Sequence, residues 1–390
     1  MPFPEKVLQP LLLSLFKIQK CTKMKIWVSA NPINKIKDMK GYILKEKGKA
    51  QWEELPVPEI GPYDALVRPT AVATCTTDVH LIETAAWPNA LGKVIGHEGV
   101  GIVEKVGELV KDFKPGDRVV IPSAGSNWRH PKAQRGEAKY HQDLNPYFSE
   151  DPGLGGNFSL FVKAVDADSR LAHIPDNVTD LQAVMVPDMI GTGFTGVERM
   201  QIGFGDTVLI MGIGPVGLMA VAAAALRGAG RIIAVGSRPN TVELAKQYGA
   251  TDIVDYKDGD IFNQVMALTE NQPVDSVLIA SGGDASESFT TALKAVKFGG
   301  HVACVSIFFQ ENVTIPLSVW EYGGMEKFLT GVLIQDGREY FERLLQLIAH
   351  KRLDPTPLVT HVLQGWDKLD DGLQLMRERD PDVIKAVIIP

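Results

Sequence analysis

Cysteine is scarce in this sequence of 390 residues, where only Cys21, Cys75 and Cys304 occur. Three widely spaced cysteines cannot form a disulfide framework, so a reducing compartment such as the cytoplasm is the expected location. Long hydrophobic runs are missing too. One uncharged run, residues 208–226, is interrupted by three glycines and a proline, which argues against a helix that crosses a membrane.

Positive charge is not in excess either. The sequence has 40 basic and 47 acidic residues, which give a net charge of −7 at pH 7. No broad basic face is implied, so we do not expect a nucleic acid partner. A content of 45% hydrophobic and 22% charged residues is that of a globular protein, and the length predicts two domains.

The first 38 residues differ in composition from the rest of the chain. They hold seven lysines but only two acidic residues, Glu5 and Asp38, and no arginine. A secretory signal is not favoured, because Pro10 interrupts the apolar segment and lysines follow it. We predict that residues 1–38 form a disordered extension, with an organelle-targeting segment as the alternative, and that the first domain begins at Met39.

The pattern of apolar residues divides the remainder of the chain into two parts. Residues 39–191 contain short apolar runs bounded by glycine and proline, such as 64–69 and 99–107, which are typical of strands in a barrel-like antiparallel domain. From residue 192 onwards, short buried-type strands alternate with helices. This alternation indicates a doubly wound parallel sheet.

Two further segments complete this division. Residues 124–157 are rich in Asn, His, Pro, Gly and Asp, and we predict a long surface loop there. The final residues, 336–390, are too few for a separate domain and are expected to return to the first one. The predicted fold is therefore α/β, with a barrel-like β-rich domain of residues 39–191 and 333–390 and a doubly wound, parallel-sheet Rossmann domain of residues 192–332.

A glycine-rich turn lies between a predicted strand and a predicted helix. Its residues, Gly212-Ile213-Gly214-Pro215-Val216-Gly217, match the pattern GxGxxG. In this position the first glycine allows a tight turn, the second lets the backbone approach a pyrophosphate, and the third lets the helix pack on the strand. The helix N-terminus offers free N–H groups and a positive dipole to the phosphates. We therefore predict a dinucleotide site at residues 212–217.

The end of the next predicted strand indicates which dinucleotide is bound. An acidic residue there would bind the ribose hydroxyl of NAD, but the sequence has Gly236, Ser237 and Arg238. Gly236 has no side chain to repel a 2′-phosphate, while Ser237 and Arg238 can donate hydrogen bonds to it. This favours NADP(H), and the alternative is a solvated arginine in a turn.

Residue types that bind metals are grouped in the first predicted domain. Cys75 is followed by His97 and Glu98, which belong to the pattern GHExxGxxxxxGxxV. Thiolate, imidazole and carboxylate groups are the ligands of catalytic zinc sites, which keep one position open for water or substrate. Each residue by itself could be an ordinary core or surface side chain, but the joint pattern is much more specific.

Through this pattern the sequence resembles the zinc-dependent medium-chain alcohol dehydrogenases, and more closely the microbial NADP-dependent secondary alcohol dehydrogenases. The resemblance runs from Met39 to the C-terminus and includes residues 111–119, 212–217 and 230–239. It implies a zinc- and NADP(H)-dependent enzyme that reversibly oxidises small secondary alcohols to ketones, with the β-rich domain as the catalytic domain. A polyol or other medium-chain dehydrogenase with the same zinc chemistry, and a non-catalytic NADPH-binding protein, are the alternatives.

The resemblance also implies the ligands of one catalytic zinc ion per chain. Cys75 and His97 would bind it, Glu98 would be a weaker ligand, and Asp188 would take the place of a second cysteine. Without the resemblance, Asp188 would be interpreted as a helix N-cap. A second, structural zinc ion is not expected, since residues 122–157 contain no cysteine.

Further expectations rest on the same resemblance. Thr77 and His80 match a proton relay, in which a hydroxyl passes the alcohol proton to an imidazole; a turn threonine and a surface histidine are the alternative. Tyr256 matches a residue near the 2′-phosphate, although it could also be a strand-end aromatic residue. The family further implies a homotetramer.

Overall fold

The structure is a computed structural model that describes residues 37–308, 310–320, 326–378 and 380–390. Nearly all of the expected N-terminal extension, and Cys21 with it, therefore lies outside the described residues. Residues Met39–Pro390 form one compact unit. The described strands are β1 (Asp38–Glu46), β2 (Lys49–Pro56), β3 (Ala65–Thr74), β4 (Glu98–Val106), β5 (Arg118–Ile121), β6 (Val162–Ala164), β7 (Ala172–His173), β8 (Thr207–Met211), β9 (Arg231–Val235), β10 (Asp252–Val254), β11 (Val274–Ile279), β12 (Val296–Cys304), β13 (Phe328–Gly331), β14 (Val359–Gln364) and β15 (Lys385–Ile389).

Helices connect most of these strands. One five-residue π-helical turn, Val186–Ile190, directly precedes the fourth α-helix. In the described ranges, no helix is long and apolar enough to cross a membrane. The described α-helices are α1 (Thr76–Thr84), α2 (Ala167–Arg170), α3 (Asp180–Ala183), α4 (Gly191–Met200), α5 (Pro215–Arg227), α6 (Pro239–Gln247), α7 (Ile261–Leu268), α8 (Ala285–Ala295), α9 (Leu317–Trp320), α10 (Arg338–Ala349) and α11 (Leu369–Glu378).

Two large sheets organise the compact unit. One has six parallel strands in the order β10-β9-β8-β11-β12-β13. The other has seven strands in the order β14-β15-β3-β4-β5-β7, with β6 paired to β3, and it is antiparallel except for the pair β14–β15. The predicted fold, a β-rich part combined with a doubly wound parallel sheet, is confirmed.

The sequence of β8 explains why this strand lies at the centre of the parallel sheet. The four residues that follow Thr207 are apolar and buried, as expected for a strand that helices cover on both faces. The chain then enters α5, which has Pro215 in its first turn and ends before Gly228, whose φ is 91°. Proline at the start and a left-handed glycine after the end are typical helix boundaries.

Strand register brings three distant strand ends to one edge of the seven-stranded sheet. In the antiparallel pair of β3 and β4, Ala73 lies opposite Glu98. In the antiparallel pair of β3 and β15, Thr74 lies opposite Ala386. The end of β3 therefore lies beside the first residues of β4 and β15, so residues far apart in the sequence become neighbours there.

The loop of residues 124–157 differs from the expected surface excursion. It contains two short 3-10 turns, Pro131–Arg135 and Ala138–Tyr140. Several of its side chains are buried all the same, among them Asn145 and Tyr147. Polar residues can be buried when their groups are hydrogen-bonded within the protein, so a polar composition did not indicate how deeply this loop packs.

Candidate active site

Three of the predicted metal ligands lie where β3 and β4 meet. Cys75 follows β3 directly and is the N-cap residue of α1. His97 immediately precedes β4, and Glu98 is the first residue of that strand. Cys75 and Glu98 are buried, whereas His97 is partly exposed. Residues that are neighbours across the sheet, and not along the chain, thus form this part of the site.

The fourth predicted ligand, Asp188, comes from a different segment. It lies inside the π-helical turn Val186–Ile190, whose N-cap residue is Met185, so the alternative role of Asp188 as a helix N-cap is wrong. Its Oδ1 accepts a hydrogen bond from Thr192 Oγ1 at 2.7 Å. Its Oδ2 lies 3.5 Å from His97 Nε2. Single π-helical turns are frequent at functional sites, and this one directs a carboxylate to the other ligands.

The four predicted ligands form one compact group. The ligand atoms of Cys75, His97, Glu98 and Asp188 all lie within 4.8 Å of one another. A thiol, an imidazole and carboxylates at this spacing are a donor set that zinc prefers. Glu98 Oε2 is also buried without a hydrogen-bond partner in the described part of the chain. The residues present therefore fit a zinc ion.

A buried lysine adjoins this group and was not predicted from the sequence. Lys385 Nζ donates to Glu98 Oε1 at 2.5 Å, and neither side chain is more than 1% exposed. The charges of Cys75 and Asp188 would balance that of a zinc ion, and Lys385 lies where it balances the charge of Glu98. One feature of the sequence could have indicated this lysine: it is the single cationic residue in the otherwise apolar run of residues 383–389, and a buried charge requires a partner.

Charges around the site shift the pKa values of its groups. Burial raises the pKa of Cys75, but the positive charges of Lys385 and His97 outweigh this effect and lower the pKa to about 7. Burial also raises the pKa of Asp188, but the hydrogen bond and the charge of His97 lower it to about 2. Metal ligands must be deprotonated, and these shifts favour that state for Cys75 and Asp188 near neutral pH. Burial lowers the pKa of His97, but the charges of Asp78 and Asp188 raise it well above its ordinary value, so a metal ion must displace a proton from this side chain.

Asp78 is a second residue of the site that was not predicted. Its carboxylate is fully buried and joins two ligands, because Oδ2 accepts from the Cys75 backbone N at 3.1 Å and Oδ1 lies 3.0 Å from His97 Nδ1. A carboxylate that holds one ring nitrogen of a histidine leaves the other nitrogen to the metal. Its spacing from Cys75 could have indicated this role in the sequence, since an acidic residue three positions after an N-cap residue is typical of a capping box.

Thr77 and His80 lie on α1, two and five residues after Cys75. Both side chains are half-buried. Residues three positions apart share one face of a helix. One face of α1, the helix that begins after Cys75, therefore carries a hydroxyl and an imidazole.

The turn of residues 212–217 joins β8 to α5, and Pro215 and Val216 begin that helix. Gly212 has φ 99°, and a Cβ at Gly217 would overlap the Gly212 carbonyl oxygen, so both positions require glycine. A Cβ at Gly214 would meet no atom within 4 Å. No atom crowds Gly214 at the N-terminus of α5, as expected where the backbone must approach a pyrophosphate.

The residues expected to select the dinucleotide follow β9. Ser237 Oγ is buried without a hydrogen-bond partner among the residues that the structure describes, as expected for a group that binds a ligand oxygen. Arg238 is the N-cap residue of α6 and donates from Nη1 to the Val383 carbonyl oxygen at 2.8 Å. Tyr256 is 53% exposed and interacts electrostatically with Arg238. These groups fit the 2′-phosphate of NADP.

Gly236 has a role beyond leaving room for a phosphate. A Cβ at this position would overlap the side chain of Ile213 in the glycine-rich turn. Ile213 is 3% exposed, so it has little space into which it could move. The end of β9 and the turn after β8 are thus coupled by packing, which was not predicted from the sequence.

Two protein-family profiles match the chain. Residues 61–176 match the alcohol dehydrogenase GroES-like domain, and residues 215–350 match the zinc-binding dehydrogenase family. An NADP-dependent isopropanol dehydrogenase from Thermoanaerobacter brockii is 47% identical over 352 residues, which cover 90% of this chain and 99% of that protein. The enzyme of the same description from Clostridium beijerinckii is 42% identical over 352 residues, which cover 90% of this chain and 100% of that protein.

Solved structures agree with these relatives. The alcohol dehydrogenase TADH from Thermus sp. ATN1 superimposes with a TM-score of 0.80 at 28% identity, and the match covers 90% of this chain and 99% of that chain. The first profile match includes Cys75, His97 and Glu98, whereas Asp188 lies between the two profile matches. This chain therefore belongs to the zinc-dependent medium-chain alcohol dehydrogenase family.

Proposed function

We propose that this protein reversibly oxidises small secondary alcohols to ketones with zinc and NADP(H). The observation that carries the proposal is the group of Cys75, His97, Glu98 and Asp188, in which an aspartate takes the place of the second cysteine of the general alcohol dehydrogenase site. The names of the relatives at 47% and 42% identity, which specify isopropanol and NADP, support the substrate class and the cofactor.

In this proposal Cys75, His97 and Asp188 hold the zinc ion. Bound zinc acts as a Lewis acid that polarises the alcohol oxygen. Glu98 is a weaker ligand, because its Oε1 is bound to Lys385 while its Oε2 is free to approach the metal position. Lys385 also lowers the pKa of the Cys75 thiol by its positive charge.

Thr77 and His80 are proposed to move the alcohol proton. The Thr77 hydroxyl accepts the proton at Oγ1 and transfers its own toward the imidazole of His80, which can accept a proton at a ring nitrogen. The half-buried positions of both side chains support this role, because both residues are on the helix that begins after Cys75 and both keep some contact with solvent.

The glycine-rich turn and the end of β9 are proposed to bind NADP(H), which accepts or supplies the hydride. The N-terminus of α5 receives the pyrophosphate, and Ser237 and Arg238 donate hydrogen bonds to the 2′-phosphate beside Tyr256. The hydrogen bond from Arg238 to Val383 supports this arrangement, since it holds the guanidinium in one position before the cofactor binds.

The division into domains is proposed as well. Residues 39–191 and 333–390 form the catalytic domain, and residues 192–332 form the NADP-binding domain. The pairing of β15 with β3 supports this division. The homotetramer and the cytoplasmic location, which rest on the family resemblance and on the scarcity of cysteine, stay predictions.

Metal analysis combined with a cofactor-specific assay tests the proposed function. The protein should contain about one zinc ion per chain, reduce acetone with NADPH in clear preference to NADH, and oxidise propan-2-ol in preference to sorbitol. Cys75→Ser should lose both zinc and turnover. Cys304→Ser should retain both, because this second buried thiol lies at the end of β12 in the parallel sheet. Turnover by metal-free Cys75→Ser, or a preference for sorbitol, would contradict the proposal.

A further inference from the structure

Tyr147 brings a hydroxyl from the loop of residues 124–157 to the metal-ligand group. Its side chain is only 4% exposed, and its OH donates to Asp78 Oδ1 at 3.4 Å. The same carboxylate oxygen lies 3.0 Å from His97 Nδ1. The Tyr147 ring also packs edge-on against the His97 ring, with the two centroids 6.1 Å apart. A residue of the loop is therefore in contact with both members of the Asp78–His97 pair.

The hydroxyl completes the hydrogen bonding of Asp78. Oδ2 accepts from the Cys75 backbone, while Oδ1 is shared by His97 and Tyr147. Because Asp78 is inaccessible to solvent, water cannot simply replace a donor that is lost. The Tyr147 hydroxyl therefore restricts the rotation of a carboxylate that orients two of the proposed ligands.

Tyr147 is itself held firmly by its neighbours. Its ring stacks on Trp87, with centroids 5.7 Å apart and planes at 21° to each other. Its backbone N donates to Asn145 Oδ1 at 2.9 Å. A ring stacked on one side and a backbone fixed on the other leave the hydroxyl little freedom to leave Asp78.

A buried lysine fixes the backbone on both sides of Tyr147. Lys93 is 8% exposed, and its Nζ donates to the carbonyl oxygens of Pro146 at 3.2 Å and Ser149 at 2.6 Å. A buried ammonium group is unfavourable unless it is hydrogen-bonded, so these carbonyls tie the loop to Lys93. Lys93 lies four residues before His97. One short segment therefore carries both the lysine that binds the loop and a proposed zinc ligand.

We propose that Tyr147 is a positioning residue for the metal centre. By holding Asp78, its hydroxyl fixes the orientation of the His97 imidazole and of the backbone at Cys75. Lys93 keeps the loop in the position that makes this contact. The inference rests on the proposed zinc ligands and extends the site to the loop of residues 124–157, which contains none of the four proposed ligands.

The test compares zinc release to a chromophoric chelator from Tyr147→Phe, from the unmodified protein and from Tyr140→Phe. Tyr147→Phe keeps the ring and its stacking on Trp87 but lacks the hydroxyl, and Tyr140 is an exposed tyrosine of the same loop. We expect Tyr147→Phe to release zinc measurably faster, but by less than the about 10–100-fold that follows loss of a direct partner of a ligand, because Tyr147 acts through Asp78. The visible spectrum of its cobalt(II) form should change, whereas Tyr140→Phe should match the unmodified protein.

Two results would overturn the proposal: zinc release from Tyr147→Phe at the rate of the unmodified protein, or an unchanged cobalt(II) spectrum. Either result counts even if the unfolding temperature of the variant changes. Lys93→Met is a second variant that keeps the tyrosine: faster zinc release would support docking of the loop by Lys93, and an unchanged rate would contradict it. If the unmodified protein holds zinc and reduces acetone while Tyr147→Phe behaves identically, only this inference fails. If the unmodified protein binds no zinc, the proposed function fails with it.

Discussion

Lys385 and Glu98, which are 287 residues apart in the sequence, form a buried ion pair with 2.5 Å between Nζ and Oε1. The side chains are 1% and 0% exposed. When one partner of such a pair is removed, an uncompensated charge stays buried, which costs about 3–5 kcal/mol. The pair therefore contributes both to folding and to the charge balance of the metal site.

Replacement of Lys385 by Met should lower the free energy of unfolding of the metal-free protein by about 3–5 kcal/mol. The double variant Lys385→Met/Glu98→Gln should recover much of this loss, because it removes the unpaired charge as well. Lys368→Met, which breaks an exposed pair with Asp371, should have little effect. Urea unfolding measures the free energy of unfolding of all three variants. If Lys385→Met were as stable as the unmodified protein, this expectation would be wrong.

Zinc binding should depend on pH through Cys75. Its pKa of about 7 lies below the ordinary thiol value, so the thiolate is present above pH 7 and is lost as the pH falls through 7. The contribution of Cys75 to zinc affinity should therefore weaken as the pH falls through about 7. His97 adds to this dependence: burial opposes its charge, but Asp78 and Asp188 raise its pKa well above the ordinary value, so it too must release a proton to bind zinc. The stability that the folded thiolate contributes is fully present above the ordinary thiol pKa of 9.0 and is lost as the pH falls through about 7. In Lys385→Met the pKa of Cys75 should rise, so that the weakening begins at higher pH. Chelator-competition titrations measure this shift, and identical pH profiles would show that Lys385 does not act on the thiol.

Thr77→Val should lower kcat by about 10²–10⁴-fold, because it removes the hydroxyl that begins the proposed proton relay. The zinc content should stay unchanged, since Thr77 is not a proposed ligand. Thr76→Val is the matched control, as the neighbouring threonine is also half-buried at the start of α1. Equal kcat values for the two variants would show that Thr77 has no special part in proton transfer.

Arg238→Gln should lower kcat/KM for NADP(H) by about one to two orders of magnitude, because a hydrogen bond to a charged group contributes roughly 1.5–3 kcal/mol. The value for NAD(H) should change much less. Arg227→Gln, at the exposed end of α5, is the control and should keep the preference for NADP(H). Equal loss with both cofactors would mean that Arg238 does not bind the 2′-phosphate.

Introduction of an aspartate at position 236, the substitution that would favour NAD(H), should succeed only together with Ile213→Ala. The Cβ of an aspartate at 236 would overlap the Ile213 side chain, and the smaller alanine removes this overlap. We expect Gly236→Asp alone to reduce kcat/KM with both cofactors, and the double variant to regain activity with NADH. Full activity of the single variant with either cofactor would contradict this packing argument.

A chain that begins at Met39 should retain its zinc, its NADPH preference and its kcat/KM. The 352 residues that align with the Thermoanaerobacter brockii enzyme cover 99% of that protein but 90% of this chain. A chain that begins at Gly48 should not fold stably, because it lacks β1 and the buried side chains of Ile43 and Leu44. An inactive chain from Met39 would show that the preceding residues are needed, and import of a reporter fused to residues 1–38 would support the targeting alternative.

Local sequence patterns were sufficient to predict most elements of the parallel sheet. The predicted alternation of short strands with helices after residue 192 is present from β8 to β12, which alternate with α5 to α8. Strand β12 begins at Val296, directly after α8, and includes Gly299 and Gly300, which by local preference favour a turn. Val296 pairs with Val274 before a shift in register. Pairing with a neighbouring strand therefore extended an element that local preference would have shortened.

The sequence by itself determined the residue types and the turns of the two sites. Two local features were enough: the glycine pattern of residues 212–217 and the spacing of Cys75 from His97 and Glu98. The first predicts a turn because glycine allows its backbone conformation, and the second predicts a metal site because these side chains bind zinc. The tertiary structure alone decided that Lys385 neutralises Glu98 and that Tyr147 reaches Asp78. Strand register and loop docking bring these residues together, and both depend on packing and hydrogen bonds between distant segments that no local pattern contains.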